Sequence, residues 1–171
     1  PFYPGPGLGG HCIPIDPFYL TWKAREYDFA TKFIELAGEI NSQMPYYVTS
    51  LLEDALGTQR KSLARSRILV LGVAYKRDVE DWRVSPSLKV MEVLSSKGAI
   101  VEYNDPLVPE IIFNGKKMIS VDINKLQEFD CVVICTEHSA YNFENIILDS
   151  NLIVDTRDAT KVRGNPKVFV L

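Results

Sequence analysis

The sequence predicts an α/β protein: a doubly wound, Rossmann-like parallel sheet preceded by a long central helical segment. Five short apolar runs, each bounded by polar or turn-forming residues, are typical of strands buried on both faces. Helical patterns separate several of these runs, as the crossover connections of a parallel sheet require. Ahead of the first run, apolar residues recur every three or four positions, which is the spacing of one helix face. The predicted strands cover residues 68–73, 100–103, 131–135, 152–154 and 168–170.

The chain divides into three segments by composition. Residues 1–16 form a loop rich in proline and glycine, residues 17–57 are predicted to be helical, and residues 67–171 alternate strand and helix. Pro45 interrupts the helical segment, which is therefore either two helices or one bent helix, and Gly57 is predicted to end it. The predicted helices of the last segment cover residues 87–96, 124–128 and 141–148.

An apolar seam runs along the helical segment. It is equally consistent with packing against the domain that follows and with an interface between two subunits. Its members are Ala30, Phe33, Ala37, Ile40, Met44, Val48, Leu51 and Ala55.

Composition argues against several classes of function. The net charge is −3 and acidic and basic residues are interleaved, so no basic stripe is available to bind nucleic acid. No run of about eighteen apolar residues and no basic, apolar leader occur, so we expect no membrane insertion and a cytoplasmic location. Cys131 and Cys135 lie in an apolar run and are predicted to be buried thiols in a reducing compartment. Because the chain lacks an initiating Met and opens in a glycine-rich loop, we also expect it to be a fragment.

The stretch from Gly5 to Asp16 holds the residues that point most strongly to chemistry. Four glycines in its first six residues permit unusual backbone angles and let the main chain approach a ligand closely. Cys12 is a candidate nucleophile, and Asp16, four residues later, can bring a carboxylate back near the sulfur. Asp16 is also suited to cap a helix that begins at Pro17. Taken alone, the glycines are as consistent with a flexible connection as with a site.

Neither histidine is predicted to be catalytic. His11 adjoins Cys12, and adjacent side chains in an extended loop point in opposite directions, so His11 is poorly placed to deprotonate the thiol. His138 follows the strand that contains Cys135, where a surface or capping role is expected. No cluster of side chains has metal-ligand spacing, so no metal site is predicted.

The first predicted strand lacks the dinucleotide-binding fingerprint. It ends in Leu71-Gly72-Val73-Ala74-Tyr75-Lys76, with one glycine where the fingerprint needs three. A nucleotide can still bind at the carboxyl edge of such a sheet if charged side chains replace the backbone amides. Lys76 lies at that edge, where the alternative is a solvated surface lysine.

Two motifs together resemble a known family. The first is Gly9-Gly10-His11-Cys12 with Asp16 four residues after the cysteine, and the second is Gly72-Val73-Ala74-Tyr75-Lys76-Arg77-Asp78 followed by Asp81 and Arg83. This order is similar to the UDP-glucose/GDP-mannose dehydrogenase family, and the match runs from Gly5 to about Arg157.

The resemblance implies a subunit of three parts, of which the first, an N-terminal NAD domain, is missing from this sequence. Residues 1–16 would then be the catalytic glycine-rich loop, residues 17–57 the central dimerisation helix region, and residues 67–171 the UDP-sugar-binding C-terminal domain. A homodimer formed through the central helix is implied as well.

The resemblance also implies a reaction, the oxidation of the C6 alcohol of a nucleotide sugar to a carboxylate with NAD as the cofactor. Cys12 matches the nucleophile that forms a thiohemiacetal and then a thioester, and Asp16 the acid that orients or activates water. Lys76 matches a contact to the substrate diphosphate and Arg83 a contact to NAD. The other matched substrate contacts are Gly7, Leu8, Gly9, Gly10, Tyr75 and Arg157, where Tyr75 stacks on the uracil or simply packs.

The sequence of the glycine loop looks more like the branch that acts on UDP-N-acetylhexosamines than the UDP-glucose branch. UDP-glucose stays the alternative substrate. Two other functions compete with the dehydrogenase. One is a stand-alone nucleotide-sugar binding module, because the cofactor domain is missing. The other is a thiol hydrolase, because a cysteine and a histidine are adjacent.

Overall fold

The computed structural model describes residues 3–171, and its central feature is a parallel sheet of five strands. The strand order is β2-β1-β5-β6-β7, and a separate antiparallel hairpin is formed by β3 and β4. The strands are β1 (Arg67–Leu71), β2 (Ile100–Asn104), β3 (Glu110–Phe113), β4 (Lys116–Ile119), β5 (Cys131–Ile134), β6 (Ile153–Asp155) and β7 (Val168–Val170). The chain leaves β1 toward β2 on one side and returns to β5 on the other, so the order reverses between the carboxyl ends of β1 and β5. In α/β sheets, ligands bind at that reversal.

Both faces of the sheet are covered, which confirms the doubly wound arrangement. One face packs against two helices through residues that include Leu52, Leu56, Met91 and Leu94. The other face packs against Leu126, Phe129 and Ile146. The helices are α1 (Asp16–Arg25), α2 (Lys32–Thr58), α3 (Pro86–Ser96) and α4 (Phe143–Asp149), with a 3₁₀ helix at Ile123–Glu128.

The helical segment divides at a different place from the one the sequence suggested. The break covers residues 26–31, whereas Pro45 lies inside the continuous helix α2. Asp28 adopts a left-handed φ of 56°, and the amide of Phe29 closes on the carbonyl of Ala24 at 3.1 Å. This left-handed ending is usually marked by glycine, and a short polar side chain such as Asp also accepts it.

The end of α2 also differs from the prediction. Gly57 lies within the helix, and Arg60, with a φ of 58°, is the residue that turns left-handed. The amide of Lys61 bonds to the carbonyl of Leu56 at 3.1 Å across this turn.

The apolar seam divides into a buried part and an exposed part along α2. Val48 and Ala55 are fully buried against the sheet. Phe33 is 87% exposed and Ile40 is 51% exposed. The first half of the seam is therefore an uncovered apolar surface.

Candidate functional site

The glycine loop is docked against the α/β domain. A Cβ atom on Gly9 would lie 2.8 Å from the carbonyl oxygen of Val84 and 2.8 Å from Cδ of Pro86. The amide of Gly10, whose φ is 91°, donates to the carbonyl of Val84 at 3.2 Å. The glycines here therefore allow close backbone contact, and the loop does not have the structure of a flexible connection.

The start of the loop contacts α2 and the loop after β6. Gly7 has a φ of 135°, and a Cβ atom there would lie 3.5 Å from the carbonyl oxygen of Asn41. Pro45 removes the helical hydrogen bond that this carbonyl would otherwise accept. The helix proline therefore leaves a polar group facing the loop.

Arg157, in the loop after β6, also contacts the start of the glycine loop. Its Nη1 contacts the position that a Cβ atom on Gly5 would occupy, and its Nε donates to Glu137 at 2.8 Å. The backbone amide of Arg157 in turn donates to the carboxylate of Asp155 at 3.0 Å. The guanidinium of Arg157 is thus already bonded within the protein, which leaves less of it available to contact a nucleotide.

Cys12 is the exposed thiol of the three cysteines, since Cys131 and Cys135 are buried as the sequence predicted. Burial raises the pKa of each of those two thiols to about 12, so neither is available as a thiolate near neutral pH. The carbonyl of Cys12 accepts from the amides of Ile15 at 3.0 Å and Asp16 at 2.7 Å. Cys12 and Asp16 therefore lie one turn apart at the start of α1.

The capping role considered for Asp16 is not observed. Ile15 occupies the N-cap position, and Asp16 is the first helical residue, without a side-chain capping bond. Asp16 is exposed. Its carboxylate is therefore not occupied by the helix terminus.

Arg83 and His11 share the carboxylate of Asp81. Arg83 donates to Asp81 from Nη2 at 2.8 Å and from Nε at 3.0 Å, and Nε2 of His11 lies 3.2 Å from Oδ2. The hydrogen bonds from Arg83, and then the bond from His11, hold the pKa of Asp81 well below its usual value. The same carboxylate raises the pKa of Arg83, whose side chain is 71% exposed.

Tyr75 and Lys76 follow β1 at the reversal of strand order. Tyr75 packs against Gly10 and lies edge-on to His11, with ring centroids 6.3 Å apart, so its ring contacts the loop. Lys76 is exposed, and it forms no ion pair with any residue in the described range 3–171. Its ammonium group is available to an anion at this edge.

Leu8 borders an apolar groove beside the thiol loop. The groove has a volume of about 410 Å³. Its lining comes from the loop, α1 and α2: Leu8, Ile13, Pro14, Pro17, Phe18, Phe33, Ile34, Ala37, Gly38, Asn41 and Ser42.

A buried carboxylate that the sequence analysis did not select organises this edge of the sheet. Asp105, which follows β2, accepts from the amides of Val73 at 2.8 Å and Leu107 at 2.9 Å. His138, for which the sequence predicted a surface or capping role, is 1% exposed, and its Nε2 lies 3.1 Å from Asp105. The amide of Asp78 donates to Nδ1 of His138 at 3.0 Å, so Nε2 carries the proton and donates to Asp105. Asp105 thereby joins the loops that follow β1, β2 and β5.

This chain provides only a small part of a site for a dinucleotide. Gly72, the one glycine at the end of β1, has a φ of 79° and allows close contact with Thr136. This glycine therefore lets the loop after β1 pack closely against the loop after β5. Arg83 fits one anionic group of NAD, because its guanidinium is exposed and Nη1 forms no bond to Asp81.

Residues 3–171 contain neither a membrane-spanning helix nor a cluster of metal ligands. No helix in that range has the length and apolar character needed to cross a membrane. No group of three or more His, Cys, Asp or Glu residues there is arranged to hold a metal ion.

Fold and site together define a class: an α/β domain of the nucleotide-binding type with an exposed cysteine on a glycine loop docked at its ligand edge. Residues 69–162 match the UDP binding domain of the UDP-glucose/GDP-mannose dehydrogenase family, and residues 1–43 match the central domain of the same family. The chain belongs to this family.

Known relatives agree with this assignment. The chain is 34% identical to UDP-N-acetyl-D-mannosamine dehydrogenase from Methanococcus vannielii over 91% of its own length and 36% of the relative. It is also 34% identical to the enzyme of that name from Pyrococcus horikoshii, over 92% of this chain and 37% of the relative. A solved structure of UDP-D-ManNAc dehydrogenase from Pyrococcus horikoshii superposes with a TM-score of 0.80 at 29% identity, covering 99% of this chain and 40% of that one. The chain thus spans little more than a third of the length of these relatives.

Proposed function

We propose that this chain supplies the reactive thiol and the nucleotide-sugar side of an NAD-dependent UDP-sugar 6-dehydrogenase. The observation that carries the proposal is the position of Cys12, an exposed thiol on a loop docked beside the ligand edge of the sheet. The names of the relatives support a UDP-N-acetylhexosamine, and UDP-N-acetylmannosamine in particular, as the substrate.

In this proposal, Cys12 provides covalent catalysis. Its thiolate adds to the C6 aldehyde, which gives a thiohemiacetal, and loss of hydride from that carbon leaves a thioester. NAD, when bound, supplies the hydride acceptor for two oxidations, that of the C6 alcohol to the aldehyde and that of the thiohemiacetal to the thioester. Water attacks the thioester carbonyl, the C–S bond breaks, and the carboxylate and the thiol are released. Asp16, one turn away with an exposed carboxylate, takes the proton from that water.

Substrate binding is assigned to the docked loop and the end of β1. Lys76 contacts the diphosphate, because its exposed ammonium group lies at the strand-order reversal. Arg157 contributes less to substrate binding than Lys76, because its guanidinium is already bonded to Glu137 and packed against Gly5. The loop contributes Gly7, Leu8, Gly9 and Gly10 to substrate binding, and the ring of Tyr75 packs against Gly10.

Three variants of the complete polypeptide test the proposal, because each should stop the reaction at a different step. Cys12→Ala should abolish carboxylate formation. Cys12→Ser should accumulate a covalent ester detectable by intact mass, since an ester is a poorer acyl donor than a thioester. Asp16→Asn should slow release of the carboxylate by about a hundredfold or more, the usual cost of losing a general base.

Cys131→Ala is the matched control, because its thiol is fully buried and should not affect the chemistry. Product is measured as uronate together with NADH. Full turnover in Cys12→Ala would refute the proposed nucleophile.

A further inference from the structure

One carboxylate, that of Asp81, joins the thiol loop to the segment that follows β1. Its Oδ2 lies 3.2 Å from Nε2 of His11 and 2.8 Å from Nη2 of Arg83. Its Oδ1 accepts from Nε of Arg83 at 3.0 Å and from the Arg83 amide at 3.1 Å. The carboxylate is ionised beside Arg83 and can only accept, so Nε2 of His11 carries the proton and donates. Oδ2 is thus shared between His11 in the thiol loop and Arg83, whereas Oδ1 is bonded to Arg83 alone.

The position of His11 makes this contact relevant to chemistry. His11 directly precedes Cys12, and the amide of Gly10 on its other side is bonded to the carbonyl of Val84. The carbonyl of Asp81 also accepts from the amide of Tyr75 at 3.0 Å, so the residue is itself fixed to the end of β1. The backbone beside the thiol is therefore tied to the α/β domain at two consecutive residues.

We propose that Asp81 is a positioning residue, which sets the thiol loop and the cation of Arg83 at a fixed separation by bonding to both. The inference rests on the proposed function, in which Cys12 is the nucleophile, and on the fit of the exposed Arg83 guanidinium to an anionic group of NAD. In this role Asp81 acts through His11 and Arg83, to which it is bonded. Its effect is on geometry, where a misplacement of about 1 Å between reacting groups costs about a hundredfold in rate.

A simpler role for Asp81 is to stabilise only its own turn, because its Oδ1 accepts from the amide of Arg83 two residues later. The bond to His11 separates the two roles. A local turn residue should be energetically independent of His11, whereas a positioning residue should be coupled to it.

The first experiment is a double-mutant cycle in the complete polypeptide with Asp81→Asn, His11→Ala and both together. Each single variant should lower kcat by about tenfold to a hundredfold. The KM for the nucleotide sugar should change by less than about threefold, because Lys76, the proposed diphosphate contact, is unchanged. The double variant should be no slower than the worse single variant. Additive losses, or no loss in Asp81→Asn, would overturn the positioning role.

Glu80→Gln is the matched control. It removes one negative charge at the neighbouring position, and Glu80 is exposed with no hydrogen bond or ion pair to the rest of the described chain. Its kcat should equal that of the unchanged protein. A loss in Glu80→Gln equal to that in Asp81→Asn would assign the effect to net charge and reject the proposal.

A second experiment needs neither cofactor nor substrate and uses the 171-residue chain itself. Backbone hydrogen exchange in the segment Gly9–Ile13 should accelerate at least about fivefold in Asp81→Asn and in His11→Ala, and should not change in Glu80→Gln. Unchanged exchange in the first two variants would overturn the positioning role even if the complete enzyme is active. Absence of turnover in the unchanged complete polypeptide would instead reject the proposed function, so the two failures are distinguishable.

Discussion

At the scale of single residues, the glycines of the thiol loop are defined by what they contact. Gly9 has backbone and ring atoms of Val84 and Pro86 within 2.8 Å of the position of a Cβ atom, and Cβ of Tyr75 at 2.9 Å. Atoms of this kind cannot move aside like the end of a flexible side chain. Gly57, inside α2, has open space around the same position.

These environments predict opposite outcomes for the same substitution. Gly9→Ala should lower the free energy of unfolding by about 1 to 3 kcal/mol, the usual cost of overpacking, and should displace the loop. Gly57→Ala should be neutral or stabilise by up to about 1 kcal/mol, because Ala favours a helix. Thermal unfolding, with the rate of alkylation of Cys12 as a probe of the loop, measures both. Equal melting temperatures for the two variants would contradict the docked position of the loop.

Sequence patterns identify some residues of the candidate site better than others. The glycines, Cys12 and Asp16 can be identified from the sequence, because specific residue types recur there at a fixed spacing. The bond between His11 and Asp81 joins positions 70 residues apart, and only the topology brings them together. The prediction that His11 is not catalytic rested on its adjacency to Cys12, which gives no information about its contact with Asp81.

At the scale of secondary-structure elements, Asp105 holds three loops at the carboxyl edge of the sheet. Burial by itself would raise the pKa of Asp105, but the hydrogen bond from His138 and the amides of Leu107 and Ala74 outweigh it, and the pKa is lowered. A carboxyl whose pKa is lower in the folded state than in the unfolded state stabilises the fold when it is ionised. Its contribution is present above the unfolded value, near 3.8, and is lost as the pH falls through the folded value.

We therefore expect that Asp105→Asn destabilises the chain at pH 7 by about 1 to 3 kcal/mol, the usual cost of leaving buried hydrogen-bond donors without an acceptor. The variant should also lose less of its remaining stability than the unchanged protein as the pH falls from the unfolded value, near 3.8, through the lower folded value, where that carboxyl takes up its proton. Urea unfolding at a series of pH values measures both effects. Asp54→Asn, at an exposed position on α2, is the control, and a similar loss there would show that the buried network has no special role.

The elements themselves were predicted to different degrees. The five parallel strands follow from their apolar runs, and each was placed within two residues of its observed limits. The hairpin of β3 and β4 was missed, although Asn114 and Gly115 between its strands, with φ values of 50° and 74°, are a typical two-residue hairpin turn. Its strands are mostly exposed, and β4 begins with Lys116 and Lys117, so only β3 carries a short apolar run, Ile111-Ile112-Phe113.

At the scale of the whole molecule, the apolar surface is concentrated at one end. α1 and the first half of α2 expose large apolar side chains: Phe18, Tyr19, Leu20, Trp22, Phe33, Leu36 and Ile40. The same region borders the apolar groove beside the thiol loop. Exposed apolar side chains gathered on two neighbouring helices are typical of an interface.

We expect this surface to join two copies of the chain in a symmetric dimer, as the family resemblance implies. Across a twofold axis, one substitution changes the interface twice. Ile40→Asp should therefore dissociate the dimer without unfolding either subunit, because Ile40 is half-exposed in the single chain. Leu51→Asp should behave differently. Leu51 packs against the core that α2 shares with the sheet, so a buried charge there should destabilise the fold itself.

Sedimentation velocity at micromolar concentration, read beside circular dichroism, separates these outcomes. The expected results are a dimer for the unchanged chain, a folded monomer for Ile40→Asp, and loss of helical signal on mild heating for Leu51→Asp. Leu148→Asp provides the control: Leu148 is 75% exposed on α4, outside the apolar surface, and the variant should remain a folded dimer. A monomeric unchanged chain would show that two copies of the chain do not cover the apolar surface. An Ile40→Asp variant that unfolds would place this half of α2 in the core, contrary to its exposure.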